Sequence, residues 1–231
     1  MNAAASLLLA DARFPAGGHA HSGCVEPAVT AGLVTGLSSL EAFLLGRLRT
    51  AGLLAAGLSA AACGLASVAC GLAAGPPSVE AWAVLDAEAD ARTPSPAQRE
   101  ASRRQGRALL RAARTAWPDA PWLEEIGRPP HHSVILGASA AAAGCSPLDA
   151  ARIAAYQAVT GPASAAVRLL ALDPLQAAAV LARLTDEVDQ VATRAAASAS
   201  GPLEDLPSPS APALDLLAQD HVRAEVRLFE S

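Results

Sequence analysis

The sequence predicts an all-α fold, a single-domain bundle of roughly eight to ten helices with proline-marked connections. Three observations carry that prediction. About a quarter of the 231 residues are alanine, the strongest helix former, while aromatic residues make up only 3%. Period-2 runs of Val, Ile, Tyr and Phe, the mark of half-buried strands, are missing. Prolines stand again and again where a helix would begin, the one place where a missing N–H costs nothing.

Taken in order, residues 3–10 form an apolar run that leads into a loop from Arg13 to Gly18, broken by Pro15 and a glycine pair. Ser22 can cap a short helix to about Ala31, with the start moved nearer Glu26 if Pro27 must lie in the first turn. Ser38 or Ser39 caps a long helix through Leu72, which Gly75-Pro76-Pro77 stops. Ser78 caps Val79–Ala91, and Thr93-Pro94-Ser95-Pro96 starts an arginine-rich helix to Trp117. Pro118, Pro121, Pro129 and Pro130 bracket a loop. His131–Ala143, Pro147–Thr160, Pro162–Leu172 and Pro174–Ala199 read as four further helices. Residues 200–213, with four prolines, read as a linker to a segment at Pro212–Asp220 and a tail.

Composition excludes several classes of function. All seventeen basic residues are arginine, so there is neither a Walker-A phosphate loop nor Schiff-base chemistry on a lysine. A net charge of −5 gives no reason to expect nucleic acid. The first residues carry no basic region, so no secretory signal is expected, and Cys24, Cys63, Cys70 and Cys145 lack paired zinc spacing; they read as reduced thiols of a cytoplasmic protein. No charge occurs between Arg49 and Glu80, a stretch long enough to span a bilayer. Its six large apolar side chains favour insertion by only about 3 kcal/mol. Gly57-Leu58, Gly64-Leu65 and Gly71-Leu72 repeat every seven residues, which lays a glycine stripe beside a leucine stripe. A buried bundle helix closely approached by a neighbour is the reading, with no membrane partner.

The chemistry-bearing residues concentrate at the two ends. Near the N-terminus stands Phe14-Pro15-Ala16-Gly17-Gly18-His19-Ala20-His21-Ser22-Gly23-Cys24-Val25-Glu26; the chain closes on Arg227-Leu228-Phe229-Glu230-Ser231. The first resembles the Phe-Pro-x-Gly-Gly-x-x-His-Ser-Gly-x-x-Glu motif of the urease accessory protein UreF family, and the second that family's C-terminal Arg-Leu-Phe-x-Ser. Tyr156 and the Ala-Val-Arg-Leu helix holding Arg168 are similar to that family as well. The resemblance implies a scaffold for nickel insertion into apo-urease, not an enzyme. It would form a homodimer, bind UreD (also called UreH) and recruit the GTPase UreG, with no cofactor of its own.

On this reading residues 1–24 are a partner-docking segment and 214–231 a docking tail. The expected partner-binding residues are Phe14, Pro15, Gly17, Gly18, His19, His21, Ser22, Glu26, Tyr156, Arg168, Arg227, Leu228 and Phe229. The tail is expected to become ordered on binding UreD/UreH, with Arg227 making polar contacts. Arg168, on an apolar helix, needs an acceptor. His19, His21 and Cys24 could in principle hold nickel, which gives the alternative of a metallochaperone. Yet the family has an aromatic residue at the place of His19 and glycine at that of Cys24, so no metal site is inherited. Arg99, Arg103, Arg107 and Arg111 recur every fourth residue and read as a solvated helix face. No Gly-x-Ser-x-Gly elbow surrounds Ser22, and no catalytic set is visible.

Overall fold

The computed structural model describes residues 3–15, 18–71, 77–126 and 129–230. Among these the regular structure is helical, with one isolated β-bridge between His21 and Glu230. In chain order the helices are α1 (Ala3–Ala10), α2 (Val25–Thr30), α3 (Leu37–Arg47), α4 (Leu53–Gly71), α5 (Val79–Ala91) and α6 (Pro96–Ala116). Then follow α7 (Trp122–Glu125), α8 (His132–Ala142), α9 (Pro147–Leu170), α10 (Pro174–Arg183), α11 (Thr185–Ser198) and α12 (Pro212–Arg223). There are more segments than proline punctuation suggests, because α1 and α7 form where the sequence offers only an apolar run and a proline-bracketed loop.

Helix α4 is the axis of the bundle, with α8, α9 and α11 packed around it and α6 lying on α8. A π-helical turn, Leu48–Gly52, joins α3 to α4, so the single long helix expected from the sequence is one rod with a local bulge. The rod starts at Gly36, where Ser39 Oγ accepts the N–H groups of Thr35 (3.0 Å) and Gly36 (3.2 Å). The expected stop at Gly75 and Pro76, like Cys70's side chain and Leu72, lies outside the described residues. Leu37–Ser67 is long and apolar enough to cross a membrane, but 61% of its most apolar window is buried in the bundle.

Small residues permit that burial. A Cβ on Gly137 of α8 would stand 2.1 Å from the Ser59 carbonyl oxygen and 2.6 Å from the Ala62 Cβ on α4. The close crossing is pinned by Ser59 Oγ, which donates to the Ser133 carbonyl (2.9 Å). Gly57, in the glycine stripe, takes the ring of Pro207 against its Cα face; a Cβ there would lie 2.7 Å from Pro207 Cδ. Residues 200–213 are therefore no free tether. Leu206 is buried, and Arg92 donates to the Leu203 carbonyl (2.9 Å).

Two helix boundaries differ from expectation. Pro162 does not start a helix; it lies inside α9. A proline there leaves the carbonyl four residues earlier without its N–H donor. Arg47 Nε supplies the missing bond, donating to the Ala158 carbonyl at 3.2 Å from 111 residues away. Conversely, the expected helix Pro174–Ala199 breaks at Leu184 (φ −89°, ψ −3°). The Leu184 N–H bonds back only three residues, to Leu181 (3.0 Å), and Thr185 Oγ1 takes the Ala182 carbonyl (2.8 Å), while the Leu184 side chain turns into the core.

The arginine stripe of α6 is not one solvated face. Arg103 turns inward and bridges Asp86 (2.9 Å) and Asp90 (2.7 Å) of α5 and the Pro129 carbonyl (2.7 Å). Arg99 donates to the carbonyls of Thr93 (2.7 Å) and Pro94 (3.1 Å), whereas Arg107 and Arg111 are exposed.

Candidate functional site

The two terminal motifs, separated by almost the whole sequence, meet in space. Glu26 stands in the first turn of α2 and is buried. Its Oε1 accepts the Leu228 N–H (2.7 Å) and its Oε2 the Phe229 N–H (2.9 Å). One carboxylate thus clamps two consecutive amides of the tail through charge-assisted bonds. Next to the clamp, a short parallel pairing runs between the loop and the tail. The Glu230 N–H donates to the Ala20 carbonyl (2.7 Å), and the Ser22 N–H to the Glu230 carbonyl (2.7 Å). His221 of α12, buried, adds a contact between its Nε2 and the Phe229 carbonyl (3.0 Å), with Glu26 Oε2 at 3.5 Å.

Local backbone conformation aims these groups. Gly23 (φ +56°) and Cys24 (φ +69°) lie consecutively in the left-handed region and turn the loop into α2. Gly23 also has no room for a side chain, since a Cβ would lie 2.9 Å from Pro162 Cγ and 3.0 Å from Arg47 Cζ. Ser22 is buried, and its Oγ accepts the Glu26 N–H at 3.4 Å, so it supports α2 from two residues before the cap position.

Phe229 is 8% exposed, with the Arg168 guanidinium 4.3 Å from its ring centroid. Arg168 also donates to the His19 carbonyl (3.2 Å), so the acceptor that its helix position demanded is in the N-terminal loop. Arg104 stands 3.3 Å from the Glu230 carboxylate. The tail is therefore not left waiting for a partner to order it: residues 228–230 are seated on the chain's own N-terminal motif. Arg227 and Leu228 face outward, Leu228 at 73% exposure.

The other expected residues take different places. Phe14 packs on Trp117 with ring centroids 5.9 Å apart, and Pro15 is exposed. Gly18 begins a 3-10 turn to Ala20, in which His19 is exposed; Gly17 lies outside the described residues. His21 is half-buried, and burial pushes its pKa down, opposed by the nearby Glu230. Tyr156 lies 45% exposed on α9, away from the tail's contacts.

The three residues of the metallochaperone alternative do not share a focus. The Cys24 thiol is buried and directed at the Leu214 carbonyl (3.8 Å), and burial raises its pKa to about 11, whereas His19 is exposed. Among the described residues no three His, Cys, Asp or Glu side chains converge as metal ligands.

Sequence reasoning missed His131, treated only as a helix start. Its ring links Ser102 Oγ (Nδ1, 3.0 Å) and Asp90 Oδ1 (Nε2, 2.9 Å), and its N–H donates to Asp86 (2.8 Å). Burial lowers its pKa, although the Asp90 hydrogen bond works the other way. Ser102 Oγ is already engaged by the His132 N–H (3.1 Å), and Arg103 shares Asp90. That arrangement fastens α5, α6 and α8 together. His131 is 2% exposed, so this Ser–His–Asp contact is shut away from solvent and serves as a clamp. The only sequence signal was the His131-His132 pair after two prolines.

Comparison with known proteins agrees with the terminal motifs. The UreF family model matches residues 34–185. A urease accessory protein UreF of Mycobacterium marinum is 48% identical over 225 residues, covering 97% of both chains. Those of Mycobacterium sp. (strain JLS) and Mycolicibacterium vanbaalenii are 48% and 46% identical, again over 97% of both chains. The family model spans the helical body, and the alignments with these relatives run across nearly the full length.

Proposed function

The chain belongs to the UreF family of urease accessory proteins, and from that premise we propose that it is the scaffold on which nickel is inserted into apo-urease. In this reading it works in the cytoplasm as a homodimer, binds UreD/UreH and recruits the GTPase UreG. UreG hydrolyses GTP and releases nickel to urease, while this chain supplies geometry and no catalysis or cofactor of its own. The observation that supports the reading best is the joining of the two motifs into one surface. Glu26 fixes the tail, on which Arg227 and Leu228 are exposed, and Arg168 links Phe229 of the tail to the His19 carbonyl of the loop. Exposed apolar side chains on a rigidly held backbone suit a docking partner, because little ordering entropy is left to lose.

Size-exclusion chromatography with light scattering, with UreD/UreH and UreG from the same organism, tests the proposal. The expected species contains about two copies of each chain, as a twofold dimer would give. Exchange of Leu228 for Asp should release UreD/UreH without changing helicity. Folded partners that elute separately from the unaltered chain would overturn the scaffold role.

A further inference from the structure

A half-open cavity of about 630 Å³ lies beside the N-terminal loop, adjoined by a second of about 190 Å³. The walls are mostly apolar, from Leu9, Phe14, Ala55, Leu136, Ala158 and Leu181 among others. Both cavities share one charged side chain, Arg47, together with His21, Gln105, His132 and Ser133.

Arg47 is an unusual cation. Its Nε takes the carbonyl that Pro162 strands, which uses one of five N–H donors. Among the described residues no carboxylate lies within ion-pair distance of it. Its ionisable neighbour is Cys24, a thiol that burial keeps neutral. Among the described residues the only carboxylate lining either cavity is Asp11, which Arg13 already holds at 2.7 Å. Burial also disfavours the charged form of His132, bringing its pKa to about 4, and the ring is a neutral hydrogen-bonding group at pH 7. A guanidinium set into a largely apolar wall without a counter-charge costs free energy, and a bound anion offsets that cost.

We propose that the junction of the two cavities is a binding site for a small oxyanion, held by the planar guanidinium of Arg47 and by hydrogen bonds from Gln105, Ser133 and the imidazoles of His21 and His132. An arginine fork matches phosphate and carboxylate oxygens in pairs, and the surrounding histidine, glutamine and serine donors add specificity. Two oxygens of one ligand can meet the fork, and the apolar walls limit the water around it. The site does not rest on the scaffold reading, and it shares His21 with the loop that pairs with the tail.

Isothermal titration calorimetry of the full chain with inorganic phosphate, and separately with acetate, in chloride buffer of matched ionic strength, provides the test. Saturable binding of either anion is expected; phosphate alone identifies a tetrahedral ligand and acetate alone a carboxylate. Arg47→Met should weaken it by at least about tenfold, while Arg111→Ala, which removes an exposed charge of the same sign, should leave it unchanged. If Arg47→Met fails to fold, the unaltered chain still decides: the His21 and His132 ring resonances should shift with phosphate or acetate along the calorimetric isotherm. Absence of saturable heat with both anions would overturn the proposal. So would binding that leaves both histidine rings unmoved.

Discussion

Replacing Glu26 with glutamine should open the tail without melting the bundle. The carboxylate accepts from Leu228 and Phe229 at 2.7 and 2.9 Å. Bonds to a charged acceptor contribute about 1.5–3 kcal/mol each, more than neutral ones. Glutamine keeps one acceptor oxygen but turns an NH2 group towards the second amide, so one bond is lost and the other weakened. The cost to tail docking is then about 2–4 kcal/mol. That raises the undocked fraction by roughly 30- to 1000-fold at 25 °C. Hydrogen exchange measured by NMR reads this directly. The Leu228 and Phe229 amides of Glu26→Gln should exchange faster by that factor, or up to the rate of an unprotected amide. Ile135, fully buried in α8, serves as the control and should change little. Protection at Leu228 and Phe229 retained within about threefold would refute the clamp, because a side chain with one acceptor oxygen cannot keep both bonds that the carboxylate makes.

Other outcomes follow from the same coordinates. Gly137→Ala forces α8 off α4, since the added Cβ would sit 2.1 Å from a main-chain oxygen; urea unfolding should show a loss of about 3 kcal/mol or more, or no folded protein. Arg103→Met takes the cation from the buried Asp86 and leaves Asp90 to Arg99, 3.9 Å away, for an expected loss of about 3 kcal/mol, whereas Arg111→Met should stay within about 0.5 kcal/mol. Stability should also fall with acid. His132, His21 and His131 all have pKa values below that of an unfolded histidine, so the unfolded chain binds protons first. Their contribution is complete above pH 6.5 and is lost as pH falls towards about 4, the His132 value. For His132 alone the loss is at most about 3 kcal/mol, and less to the extent that cavity water reaches the charged ring. A urea midpoint that stays constant between pH 6.5 and 4.5 would contradict this.

What the sequence made legible were local devices. Ser78, Ser95 and Ser146 each cap a helix, and Pro96, Pro147, Pro174 and Pro212 each stand at a first helical position, so those starts could be read directly. Pro162 carries the same local signal and misleads, because the bond that rescues its helix comes from Arg47 in another rod. The break at Leu184 has no proline or glycine to mark it; it follows from where the core draws one leucine. Glu26 was legible as part of a motif but not as a clamp, since its two donors lie about 200 residues away in a tail that looked unattached. The His131 clamp gathers residues from three helices at once, and no spacing along one segment could show it.

The joining of the first loop to the last residues also imposes an order on the making of the protein. Glu26 leaves the ribosome 202 residues before Leu228 does. At about 5–20 residues per second, its carboxylate spends roughly 10–40 s without the amides it will hold. The clamp closes only once residues 228 and 229 have emerged. Until then the helical body can stand with its N-terminal motif uncovered, so the surface built from both motifs is absent from any nascent chain that has not reached Phe229.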